Sequence, residues 1–204
     1  MGRGRRVRAY VGLGANLGDA ATTLARAVTD LATSPGVSVH GVSRLYATEP
    51  WGVTDQPEFR NAVVALDVRS GHDPSTGALD LLGRLKLLER QAGRQRGRRW
   101  GPRELDLDLL VFGRHRIDVE RTRAARSLEA DTDPARAARR LQVPHRDLGD
   151  RLFVLAPMAD LAPRLVPPGW HETIETARDR VAASESPDAV RAVGRWDPGQ
   201  AVWR

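Results

Sequence analysis

The chain reads as one globular domain that mixes β-strands with amphipathic helices, and three observations predict it. Leu105-Asp106-Leu107-Asp108-Leu109 alternates strictly and runs into the apolar Leu110-Val111-Phe112 before Gly113, the pattern of a strand. Val7–Leu13 and Ala62–Val68 are further apolar runs of strand length, bounded by turn residues. Two segments instead repeat at helical spacing: Leu24, Val28 and Leu31, then Ala78, Leu81, Leu82, Leu85 and Leu88. A length of 204 residues, 41% hydrophobic and 28% charged, is enough to bury a sizeable core.

Taken in order, the first strand enters Gly12-Leu13-Gly14-Ala15-Asn16-Leu17-Gly18-Asp19. The glycine spacing does not fit the dinucleotide fingerprint, and no lysine follows as a P-loop requires. The sole lysine, Lys86, lies in Leu85-Lys86-Leu87. The motif therefore reads as a tight structural turn, with Asp19 capping the next helix. Ser34-Pro35-Gly36 ends that helix, Val37-Ser38-Val39 resumes a strand, and Val42 to Tyr46 extends it. Thr48 to Asn61 is a loop by its proline and glycine content, yet it carries Trp51 and Phe59 in a chain with only 5% aromatic residues. Rings and a carboxamide, Asn61, suit a flat heteroaromatic ligand, the rings stacking on its faces while the amide reads its edge. Asp73-Pro74-Ser75 starts the second helix, and Gly93 stops it.

Residues 114 to 140 are rich in Arg, Ala and Asp, without an apolar face, and read as a mobile, partly helical insertion. Leu141 to His145 is extended into a loop. Arg151 to Met158 is expected as a further strand or turn. From Pro167 the tail is polar and rich in Pro and Gly, with Trp196 and Trp203 able to dock on the body.

Composition narrows the function. Cysteine is absent, which excludes disulfides and thiolate chemistry and suits a cytoplasmic location. No run is long and apolar enough for a membrane span, and no apolar segment follows the basic residues of the N-terminus as a secretion signal would. The net charge is +6, almost wholly from arginine, and fits polyphosphate substrates or nucleic acid alike.

The alternating strand is the chemical centre. Its period puts Asp106 and Asp108 on one face, roughly 6–7 Å apart at about 3.3 Å per residue. Side by side they repel, and a hard cation such as Mg²⁺, held by carboxylates and substrate phosphates, removes that repulsion. Arg99 and Arg103 lie just upstream, and Arg94-Gln95-Arg96-Gly97-Arg98-Arg99 delivers more guanidinium groups whose planar forks match phosphate oxygens.

Four segments together resemble the 6-hydroxymethyl-7,8-dihydropterin pyrophosphokinase family of folate biosynthesis. They are Val11 to Asp19, Thr48 to Asn61, Gly93 to Gly113 with Arg-Trp-Gly-Pro-Arg-x-Leu-Asp-Leu-Asp, and Val143-Pro144-His145 through Phe153. The resemblance implies an α+β, ferredoxin-like fold with helices on both sides of a central antiparallel sheet. It implies a pyrophosphokinase domain over residues 1–166, carrying the insertion at about 122–140, and an extension over 167–204. It also implies Mg²⁺-dependent transfer of pyrophosphate from ATP to the pterin, leaving AMP. On that match Asp106 and Asp108 hold two Mg²⁺ ions, and Arg94 and Arg103 engage the transferring group. Glu89, Arg96, Leu109, Arg140, His145 and Arg151 border the nucleotide. Thr48, Trp51, Phe59, Asn61, Trp100 and Phe153 bind the pterin. Glu49, Trp51 and Arg146 depart from the family's usual residues. The expected partners are ATP and the pterin, without nucleic acid or membrane, on a monomer or a weak dimer.

Two rivals remain at this stage. A basic RNA-binding domain of the same fold would need exposed aromatics on its sheet, and no such run occurs. A different Mg²⁺-dependent phosphoryl or nucleotidyl transferase would use the same two aspartates.

Overall fold

A computed structural model describes residues 5–50, 55–93, 101–126, 139–186 and 188–204. The chain begins β1 (Arg5–Ala15), α1 (Ala20–Thr33), β2 (Val37–Val42), β3 (Leu45–Thr48), β4 (Phe59–Ser70), α2 (Pro74–Gln91) and β5 (Asp106–Phe112). It continues with the hairpin β6 (Ile117–Glu120) and β7 (Arg140–Val143), then α3 (Leu152–Leu161) and α4 (Ile174–Ala182), and closes with β8 (Val190–Gly194), β9 (Trp196–Asp197) and β10 (Val202–Trp203). The main sheet runs β5-β1-β4-β3-β8, with β2 also on β4, and its neighbouring strands pair antiparallel. Helices cover both faces, and β1 to β5 follow the ferredoxin-like β-α-β-β-α-β order, with β2 and β3 as two parts of one interrupted strand along β4.

Local chemistry sets the helix ends. Asp19 accepts the Thr22 N–H at 3.1 Å, and Asp73 accepts those of Ser75 and Thr76 at 3.1 and 3.0 Å ahead of Pro74. Gly93, at φ 85°, takes the left-handed turn that ends α2. One sheet face packs Val11, Leu13, Val64, Leu66, Leu107 and Leu109 against Leu24, Val28 and Leu31 of α1 and Leu81, Leu82 and Leu85 of α2. The other packs Tyr10, Val63, Ala65, Leu110 and Val111 against α3 and α4.

Several local readings change. Arg151 to Met158 is no strand or turn: α3 occupies it, because its residues are apolar on all sides and such a run fits a buried helix equally well. The extension of β2 to Tyr46 is broken at Ser43 and Arg44, where Ser43 exchanges hydrogen bonds with Val63, and β3 starts afresh. Within residues 114 to 140, Ile117–Glu120 is a strand and Arg123–Ala125 a 3₁₀ turn; 127–138 lie outside the described residues. The tail supplies α4 and adds β8 to the edge of β3. Trp203 Nε1 donates to the Ser43 carbonyl at 2.9 Å and packs edge-on to Trp196.

Candidate active site

Residues that face one another across neighbouring strands share a face of the sheet. The register sets Asp106 opposite Gly14, Gly14 opposite Asn61 and Asn61 opposite Tyr46. One step along, Asp108 faces Gly12, and Thr48 faces Phe59. Asp106, Asp108, Thr48, Phe59 and Asn61 therefore look out from the same face, the one that carries α3 and α4 further along. Strands lie about 4.8 Å apart, so the acidic strand and Asn61 are separated by roughly 10 Å of floor. The glycines keep that floor bare. A Cβ on Gly14 would come within 3.1 Å of Asn61 Oδ1.

At one end of the floor, Asn61 Nδ2 donates to Thr48 Oγ1 at 2.8 Å, both residues buried. Phe59 stands half-buried beside them. Glu58, next along the chain, is paired with Arg60 at 3.2 Å and with Arg191 of β8. The Arg60 hydrogen bond, with help from Arg191, holds its carboxyl below the usual range.

At the other end, the side chains of Asp106 and Asp108 are 29% and 37% exposed, open to a ligand yet flanked by protein cations. Arg103 Nη1 lies 3.0 Å from Asp106 Oδ1. Asn16 fixes the Arg103 backbone: its Oδ1 accepts the Arg103 N–H at 2.7 Å, and its Nδ2 donates to Gln56 Oε1 and the Pro57 carbonyl, both at 3.0 Å. One buried carboxamide thus ties the loop before β4 to the arginine loop before β5.

The residues expected to border the nucleotide are placed differently from one another. His145 is brought alongside β5, its N–H donating to the Leu110 carbonyl at 2.8 Å. Arg151 pairs with Asp147 at 2.6 Å, and its guanidinium lies 5.9 Å from the Phe153 ring centre. Arg140, on the β6–β7 hairpin, is held by Asp118 at 2.6 Å. The Leu109 side chain is buried in the core beneath α1 and α2. Glu89 is also buried, and its Oε1 accepts the Leu107 N–H at 2.7 Å. Trp51, Arg94, Arg96, Arg99 and Trp100 lie outside the described residues.

Sequence reasoning missed two residues. Asn16 was absorbed into a glycine-rich turn, although an asparagine 3% exposed has to spend its amide on partners. Lys86 was considered only as a P-loop lysine; a lone lysine on an apolar helix stripe with glutamate three residues on is the signal that it is buried and paired. A separate cleft of about 660 Å³ between β2, α3 and the C-terminal hairpin is lined by Arg44, Asp160 and Trp196 rather than by the acidic pair.

A family model described as 7,8-dihydro-6-hydroxymethylpterin-pyrophosphokinase (HPPK) matches residues 10–163. The chain is 40% identical over 176 residues to the 2-amino-4-hydroxy-6-hydroxymethyldihydropteridine pyrophosphokinase of Methylorubrum extorquens, covering 86% of this chain and 92% of that one. It is 39% identical over 165 residues to the enzyme of the same name from Pseudomonas aeruginosa, covering 80% and 86%. A Plasmodium falciparum HPPK-DHPS crystal structure with pterin and p-hydroxybenzoate shares the fold at TM-score 0.70 and 12% identity, over 96% of this chain. This chain spans 48% of that longer one. Matched by the family model over residues 10–163 and by these two enzymes over most of its length, the chain belongs to the 7,8-dihydro-6-hydroxymethylpterin-pyrophosphokinase family.

Proposed function

We propose that the enzyme transfers the pyrophosphoryl group of ATP to the hydroxymethyl oxygen of 6-hydroxymethyl-7,8-dihydropterin, releasing AMP, with Mg²⁺ held by Asp106 and Asp108, as a step of folate biosynthesis. The observation that carries the reading is the shared sheet face, with two carboxylates at one end, a hydrogen-bonded Thr48–Asn61 pair at the other and glycines between.

Attack of an alcohol on phosphorus needs in-line placement and charge neutralisation more than a strong base. Two hard carboxylates on an open face fit Mg²⁺, and among the described residues no third acidic or histidine ligand joins them, so phosphate oxygens and water would complete the shell. The ion, when bound, supplies neutralisation of the triphosphate. Asn61 and Thr48 present a donor and an acceptor to the edge of a flat pterin, and Phe59 offers a ring face. Arg103, set by Asn16 and resting on Asp106, is placed to trade that carboxylate for a phosphate oxygen as negative charge grows toward the leaving AMP. His145 beside β5 and Arg151 supply further donors on the nucleotide side.

Incubation with ATP, Mg²⁺ and the hydroxymethyl dihydropterin should release AMP. Asp106→Ala should abolish that release while circular dichroism shows an unchanged fold. Release of ADP instead, or near-normal turnover by the variant, would refute the assignment.

A further inference from the structure

A buried cation stands behind the acidic pair. Lys86 is 4% exposed; its Nζ lies 2.6 Å from Glu89 Oε1, donates to the Leu107 carbonyl at 2.9 Å and sits 3.9 Å from Asp108 Oδ1. Leu107 stands between the two aspartates on β5, the outer strand of the sheet. Its N–H goes to Glu89 and its carbonyl to Lys86, so two side chains of α2 occupy the place of a neighbouring strand. The cations at the two aspartates differ in kind. Arg103 is 24% exposed on its side chain and rests on the partly exposed Asp106 at 3.0 Å. Lys86 is enclosed, fixed by a carboxylate and a carbonyl, and approaches Asp108 from within the protein.

We propose that Lys86 is a positioning residue whose ammonium stands behind Asp108, so that the acidic pair holds a bare divalent ion weakly and holds it firmly only together with polyphosphate. The proposal rests on the reading of Asp106 and Asp108 as metal ligands. A fixed charge 3.9 Å from a ligand oxygen opposes an incoming cation in this partly dry setting. Polyphosphate brings negative charge in from the open face, and the attraction of the lysine for that charge offsets most of its repulsion of the ion. Glu89 limits the effect, because it offsets part of the lysine charge and holds the ammonium in place.

The test is Mn²⁺ titration of the intact protein, read from the free-ion electron paramagnetic resonance signal, with and without a non-hydrolysable ATP analogue. Without nucleotide, Lys86→Met should bind Mn²⁺ about tenfold more tightly, and the gain should shrink to less than about threefold with the analogue. Lys86→Met/Glu89→Gln, which restores the net charge of the cluster, should return to within about threefold of the parent. Glu89→Gln alone keeps the acceptor for Leu107 but leaves the lysine uncompensated, and should weaken Mn²⁺ binding about fivefold. That arm decides the matter if Lys86→Met does not fold. Asp108→Asn separates the two levels. If it weakens Mn²⁺ binding at least about tenfold while neither Lys86→Met nor Glu89→Gln shifts affinity in its stated direction, the lysine proposal is overturned alone. If Asp108→Asn binds like the parent, the metal reading falls and the proposal with it.

Discussion

Asn61 does two things at the scale of a single residue: it faces the site and satisfies Thr48 inside it. A buried polar group that loses its partner costs more than the bond gained, so the pair is held in one geometry before any ligand arrives. Asn61→Leu keeps the size but removes the amide. It should raise the pterin dissociation constant at least tenfold, about 1.4 kcal/mol or more, while leaving that of an ATP analogue unchanged. Calorimetry on both ligands checks it, and equal losses for both would make Asn61 a structural residue only. Asp106 and Asp108 were legible in the sequence because a period of two forces alternate side chains to one face. Asn16 was not, since Arg103 is distant along the chain, and for Lys86 only the pairing with Glu89 was readable, because Leu107 and Asp108 meet it only in the fold.

α2 illustrates competing effects at the scale of an element. Its Gly77 is buried, and a Cβ there would come 2.7 Å from Ser70 Oγ and 3.3 Å from Phe112 Cζ. Replacing a helical glycine by alanine gains about 1 kcal/mol from propensity, but forcing a methyl into a filled core costs about 1–3 kcal/mol. The clash wins. Gly77→Ala should lower the unfolding free energy by about 1 kcal/mol in urea melts, and a gain would show that Ser70 yields freely. The start and stop of this helix were readable, because Asp73, Pro74 and Gly93 act on their own backbone. The identity of α3 was not. An apolar run such as Leu152–Leu161 has no face to betray its period, and only the sheet surface it covers selects a helix.

Across the whole molecule, the tail extends the main sheet by one strand and covers β3. β8 pairs with β3, Arg191 reaches Glu58 near the Thr48–Asn61 pair, and Trp203 anchors to Ser43. Without it, β3 would be an exposed edge whose unpaired amides invite another chain. Removing residues 190–204 should lower the melting temperature by roughly 5 °C or more and produce self-association in sedimentation. A monomer of parental stability would show that the tail is dispensable. The sequence by itself determined the strand that carries the acidic pair, the face that pair shares, the ends of the first two helices and the family likeness, because periodicity, capping and motif spacing act over a few neighbouring residues. Only the tertiary structure decided that glycines in β1 form the floor between Asp106 and Asn61, that Lys86 lies behind Asp108, and that the tail adds a strand beyond β3. Each of these needs a partner far along the chain, and such pairings are set by which surfaces can be buried together.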